Sequence, residues 1–315
     1  MKKVICVAGP TASGKTAFAV SLAEALGGEV VSCDSMQIYR GMEVGTAAPS
    51  QKEMCGVRHY MVGTVSPDEP YSVSRYVEEA DKCVQNILNS GKIPIIAGGT
   101  GLYMDSLIKG LYFSTGPGDG IIRKRLDKMY TRFGGLRMHR LLQYIDKPVA
   151  ERLHPNDKKR VCRALEVYFS GGGRISEHDS ETKERLPRYN ALYFALSYRD
   201  RALLYQRINK RVDMMLANGL LDEVRRLLDM GLGSATAMQA IGYKELSEAV
   251  EGRIPLETAV DDLKRASRRY AKRQLTWLRK NEGIVWFYRD EQSDSEILRI
   301  STDIAKRFLY NGKAE

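Results

Sequence analysis

Short apolar runs recur along the first hundred residues at intervals that leave room for helices between them. Residues 4–8, 29–33 and 93–97 are each bounded by turn formers and have the length of buried strands. Phe18, Ala19, Leu22, Ala25 and Leu26 repeat at three-to-four spacing and predict a helix that stops at Gly27-Gly28. Residues 76–88 show the same period before the turn Ser90-Gly91-Lys92. Strand and helix in alternation predict a parallel α/β sheet. Ligands of such sheets sit beyond the carboxyl ends of the strands, where Gly9, Asp34 and the turn at Gly98 all fall.

The pattern changes at Thr115-Gly116-Pro117-Gly118-Asp119-Gly120, which punctuates like a domain entry. Residues 121–170 carry only helical periodicity, with Val161, Leu165 and Tyr168 as one apolar stripe. A polar loop is expected from Gly171-Gly172-Gly173 to Pro187, then a core strand over 191–196. A short strand over Ile284–Tyr288 and a helix near residues 293–310 complete the expected core. The prediction is therefore a core of residues 1–116 and 191–315, with a helical insert, 117–190, between the third and fourth strands.

Charge adds a second layer. The net charge is +10, but residues 1–116 hold 10 Lys/Arg against 11 Asp/Glu. Residues 117–190 hold 17 against 10, and residues 199–280 hold 17 against 11. A small-molecule enzyme has no need of that surplus, whereas a protein that docks on a polyanion does. Over residues 264–280 eight side chains are basic and none is acidic. On a helix Arg265, Arg269, Lys272 and Arg279 form one stripe, with Leu263, Ala266, Tyr270, Trp277 and Leu278 on a packing face. Trp277 has two readings, a base-stacking surface and a core side chain. Asn156 or Asp157 is placed to cap a helix whose first turn is Lys158-Lys159-Arg160, an arrangement that suits a nearby anion.

Several classes are excluded. No apolar run approaches the ~18 residues that span a membrane. Met1-Lys2-Lys3 leads straight into the first strand, which argues against a signal peptide. The five cysteines are scattered and odd in number, and the four histidines lack metal-ligand spacing. A reduced, cytoplasmic protein without a zinc site is expected, and a monomer, since no interface stripe stands out.

The segment Gly9-Pro10-Thr11-Ala12-Ser13-Gly14-Lys15-Thr16 reads G-x-x-x-x-G-K-[ST] between a strand and a helix. Backbone N–H groups, the helix dipole and Lys15 make an anion site, and Thr16 is the expected ligand of Mg2+. The loop binds a diphosphate or triphosphate without saying which. Asp34 heads Asp34-Ser35-Met36-Gln37-Ile38-Tyr39-Arg40 at a strand end beside it. It can be a Mg2+ ligand, a general base or a helix N-cap.

These residues resemble the tRNA dimethylallyltransferases. The resemblance rests on the phosphate loop, the Asp34–Arg40 run, Gly45-Thr46-Ala47, Gly98-Gly99-Thr100-Gly101-Leu102-Tyr103 and His154-Pro155-Asn156-Asp157 through Arg163-Ala164-Leu165-Glu166. It continues with Gln239-Ala240-Ile241-Gly242-Tyr243-Lys244-Glu245 and Arg268-Arg269-Tyr270-Ala271-Lys272-Arg273-Gln274, in order along most of the chain. It implies a P-loop NTPase-like sheet with an inserted helical tRNA-binding domain. It implies transfer of a dimethylallyl group from dimethylallyl diphosphate to N6 of adenosine 37 in tRNA. Asp34 is then the base for the N6 proton and Thr100 the partner that orients the nucleophile. An arginine of Arg207-Ile208-Asn209-Lys210-Arg211, foremost Arg211, neutralises the leaving group. The target base leaves its stack, and Gln37 meets its edge. Contacts to the anticodon stem-loop fall to Asp34, Ser35, Met36, Gln37, Thr100, Arg123, Lys158, Lys159, Arg160, Arg163, Gln239, Lys244, Arg269, Lys272 and Arg273. The chain departs from the family pattern at Arg58-His59, where paired histidines are common, and at Ala48, where a lysine is common. A P-loop small-molecule kinase, a prenyltransferase of free adenine nucleotides and a nucleotide-switched RNA-binding module are the competing readings.

Overall fold

The computed structural model describes residues 1–111, 120–184, 186–233 and 235–310. The punctuating cluster at 115–120 lies almost wholly outside the described residues. Six parallel strands form one sheet in the order β3-β2-β4-β1-β5-β6. They are β1 (Lys3–Ala8), β2 (Gly28–Ser32), β3 (His59–Tyr60), β4 (Ile93–Gly98), β5 (Asn190–Ser197) and β6 (Ile284–Tyr288). Central β1 pairs with β4 through Ile5↔Ile95 and with β5 through Ile5↔Leu192. Its residues from Val4 to Ala8 are buried, as a parallel strand covered on both faces must be. The two-residue β3 was not expected from the sequence, so the insertion falls between the fourth and fifth strands.

Helices α1 (Lys15–Leu26), α2 (Glu43–Thr46), α3 (Gln51–Met54), α4 (Val73–Asn89) and α5 (Gly101–Lys109) belong to the first half of the sheet unit. The Phe18 and Leu22 face of α1 packs with Ile5, Val7, Ile95, Phe194 and Phe287 as one core. Phe18 and Phe194 meet edge to face, with ring centroids 6.3 Å apart.

A second compact unit spans Lys109–Pro187. Its helices are α6 (Gly120–Ile145), α7 (Lys147–Glu151), α8 (Lys158–Val167) and α9 (Ile175–Glu184). Leu126, Leu142, Val161 and Leu165 form its core, while Tyr168, expected on the same stripe, is exposed. Where a polar loop was expected after Gly173, α9 forms instead; its start is held by a distant carboxylate, with Ser176 N donating to Asp146 Oδ2 at 3.0 Å. The remaining helices return to the first unit: α10 (Arg201–Ala217), α11 (Leu220–Asp229), α12 (Tyr243–Val250), α13 (Leu256–Leu278) and α14 (Asp294–Tyr310). No helix among the described residues is long and apolar enough to cross a membrane.

Candidate active site

Residues 9–14 turn from β1 into α1, and the turn is tightly constrained. A side chain at Gly9 would lie 2.6 Å from the Leu196 carbonyl and from Ser13 Oγ; one at Gly14, where φ is +86°, would meet Arg289. Helix α1 opens at Gly14 with no side-chain cap and no acidic residue in its first turn, so its N–H groups remain for an anion. Three distant side chains hold the loop. Gln274 Oε1 accepts from Thr11 N at 2.8 Å, Arg207 Nε donates to Ala12 O at 3.3 Å, and Arg289 Nη1 donates to Ser13 O at 3.2 Å. Gln274 Nε2 also donates to Gly99 O at 3.0 Å, which ties the phosphate loop to the glycine turn after β4. Nothing local in the sequence signals these contacts, because the partners are hundreds of residues apart.

A cavity of about 260 Å³ opens over the loop. Of residues 9–16, Thr11, Lys15 and Thr16 line it; Gly9, Pro10, Ala12, Ser13 and Gly14 frame the turn behind them. Asp34, Ser35, Met36, Gln37, Arg211, Gln239 and Arg273 line it too, so most of the expected chemistry converges. Ile208, Val212, Met215, Ile241 and Leu263 supply an apolar wall. Tyr270, expected to pack away from solvent, lines the cavity instead. Trp277 is a half-buried packing side chain: its Nε1 donates to Asp105 Oδ2 at 2.9 Å and its ring fills the space beside Gly101.

The Asp34 carboxylate accepts from Met36 N at 2.9 Å and Gln37 N at 3.4 Å. It braces a turn, not a helix, and still faces the cavity with Lys15 and Thr16. Thr100 stands beside the cavity; its Oγ1 accepts from Ser35 N at 3.1 Å. The Thr100 hydroxyl faces the Tyr270 phenol, whose pKa is pushed up to about 12 by burial and then by the Asp34 charge. Gln37 spends its amide on protein partners: Nε2 donates to Thr46 O at 3.3 Å and Ala47 O at 3.2 Å, and Oε1 accepts from Ser32 Oγ at 3.1 Å. One lone pair on Oε1 is left over.

The electrostatics favour an anion. Burial and the Arg211 charge lower the Lys15 pKa to about 8, against the pull of Asp34. Burial also lowers that of Arg211, which makes no ion pair among the described residues. An anion between them relieves both. Thr16 and Asp34 line the same recess, and their hydroxyl and carboxylate oxygens are donors that suit Mg2+ once phosphate oxygens complete the set. Among the described residues no group of three His, Cys, Asp or Glu side chains forms a metal site by itself.

Other expected nucleic-acid contacts lie elsewhere. Lys244 and Arg269 line a shallow groove with Glu245, Glu248, Asp262 and Arg265, and Lys272 is exposed on the same helix, α13. In the second unit Asp157, not Asn156, caps α8, accepting from Arg160 N at 3.2 Å. Four of its five expected cations are paired: Arg123 and Arg163 with Glu166, Lys158 with Asp127, Arg160 with Asp157. Lys159 is exposed.

The family model described as IPP transferase matches residues 37–281. A tRNA dimethylallyltransferase of Acetivibrio thermocellus is 46% identical over 301 residues, covering 95% of this chain and 96% of the relative. One of Bacillus cereus (strain AH187) is 44% identical over 313 residues, covering 99% and 98%. A crystal structure of a tRNA isopentenylpyrophosphate transferase from Staphylococcus epidermidis is 39% identical, with TM-score 0.72, covering 98% of this chain and all of that one. A eukaryotic dimethylallyltransferase acting on tRNA superposes with TM-score 0.83 at 29% identity, covering 99% and 80%.

Proposed function

The chain belongs to the IPP transferase family, and on that premise we propose that it transfers a dimethylallyl group from dimethylallyl diphosphate to N6 of adenosine 37 in tRNA. The observation that carries the reading is the mixed lining of one cavity: Lys15, Thr16 and Arg211 together with the apolar side chains Ile208, Val212, Met215, Ile241 and Leu263. A diphosphate with a short branched hydrocarbon needs both.

The diphosphate lies on the N–H groups of α1, with Lys15 and Arg211 taking up the negative charge that grows as it departs. The prenyl tail lies along Ile208, Val212, Met215 and Leu263. The N6 nitrogen attacks the allylic carbon, the C–O bond breaks, and Asp34 receives the N6 proton. Thr100 and Tyr270 steady that carboxylate's neighbourhood, and the spare lone pair of Gln37 Oε1 accepts from the exocyclic amine. Thr16, with the substrate's own oxygens, would hold Mg2+, which would help to neutralise the diphosphate charge. The exposed cations of α13 and of the second unit take the phosphates of the anticodon stem-loop.

Mass spectrometry of tRNA incubated with the protein, Mg2+ and dimethylallyl diphosphate tests this. Gain of one dimethylallyl group at adenosine 37 is expected. Phosphoryl transfer from ATP without prenylation would overturn it.

A further inference from the structure

Glu223, at the start of α11, is buried yet faces no cation among the described ion pairs. Its carboxylate instead takes the first-turn N–H groups of α2: Val44 N donates to Oε2 at 2.9 Å and Gly45 N to Oε1 at 2.8 Å. Tyr243, fully buried at the start of α12, donates its hydroxyl to the same Oε1 at 2.5 Å. Burial and the adjacent carboxylate raise the phenol's pKa, so it stays a donor. The fit is close: a side chain at Gly45 would lie 2.5 Å from the Tyr243 ring.

The other end of α2 reaches the cavity. The carbonyls of Thr46 and Ala47 take both amide hydrogens of Gln37. Because the NH2 group must face those carbonyls, the oxygen must face Ser32, and Gln37 itself lines the cavity. The four-residue helix thus links a buried carboxylate on one side to the orientation of one amide on the other.

We propose that Glu223 and Tyr243 are positioning residues for the acceptor base: they fix α2, and α2 fixes which end of the Gln37 amide is offered to it. This rests on the reading that Gln37 accepts from the exocyclic amine. A flipped or drifting amide presents NH2 to an amine, and two donors face one another. The effect therefore appears in use of the RNA and not in donor binding.

The test is a double-mutant cycle of Tyr243→Phe and Gln37→Ala, with an anticodon stem-loop as acceptor. Tyr243→Phe keeps the ring and removes only the hydroxyl; Glu223→Gln is the companion variant. Each is expected to lower kcat/KM for the RNA about tenfold, with dimethylallyl diphosphate affinity changed by less than about threefold. In the Gln37→Ala background, Tyr243→Phe should add no further loss, because the amide it positions is gone. Full additivity overturns the proposal, as does an unchanged rate for a folded Tyr243→Phe variant whose Gln37→Ala counterpart is impaired. If Gln37→Ala itself has no effect, the base contact assigned to Gln37 fails, and the positioning role fails with it.

Discussion

The cations over the phosphate loop and those of the helical unit are the same residue types in opposite electrostatic states. Arg211 lies in the cavity wall without an ion-pair partner among the described residues, and burial, with the Arg211 charge added to it, lowers the pKa of Lys15 to about 8. In the helical unit Arg123 and Arg163 share the buried Glu166 at 3.3 and 3.0 Å. Repulsion held in place by the fold is a site waiting for an anion; charge already met by carboxylates is mostly a way to build a surface. A surplus of seven positive charges over residues 117–190 does not distinguish the two; the pairing does.

Four substitutions or conditions press on that contrast. The largest effect belongs to the one carboxylate among the cavity cations. Asp34→Ala should lower kcat by about 10²–10⁴ while tRNA affinity stays nearly intact, measured by single-turnover kinetics beside filter binding. An unchanged rate removes Asp34 from the chemistry. Next is pH. In the free protein Lys15 is charged below about pH 8 and loses its proton above it, whereas diphosphate restores the charge. Donor affinity should then be flat below pH 8 and weaken by about tenfold per unit above it, with proton uptake in calorimetry. The same depressed pKa makes the charged lysine a cost to the folded state, present below pH 8 and relieved toward pH 10.5. Affinity that holds level to pH 10 would mean that burial does not perturb this lysine.

Smaller effects are expected on the surface. Replacing Arg269 and Lys272 with glutamine should flatten the salt dependence of tRNA binding by about two phosphate contacts, and an unaltered slope takes α13 out of the interface. The smallest shift comes from Glu166→Gln. Unmasking Arg123 and Arg163 should cost about 1–2 kcal/mol in denaturant unfolding and steepen the salt slope by about one contact if the pair lies near RNA.

Much of the sheet was legible because buried parallel strands are short unbroken apolar runs, and Ile284–Tyr288 is found where the pattern put it. β3 was not, since two residues have no period. α9 was missed because Ile175 is its only apolar residue, so a pattern method has nothing to read; its start is fixed by Asp146, thirty positions away. At the cavity, a loop, a carboxylate and an arginine each carry a local signature. Their shared geometry depends on contacts such as Gln274 to Gly99 and Glu223 to Gly45, which join positions 175 and 178 apart. Tyr270 looked like a packing residue because three-to-four spacing marks the inner face of α13 without saying that part of that face overhangs a cavity.

The Gln274 amide has a practical consequence. The helix that displays Arg269 and Lys272 outward also reaches inward with this one side chain to the phosphate loop and the glycine turn at once. It cannot be exchanged as a cassette. An engineer who grafts a different helix in its place, to change the surface it displays, inherits a slack phosphate loop unless a glutamine is kept at that one inward position.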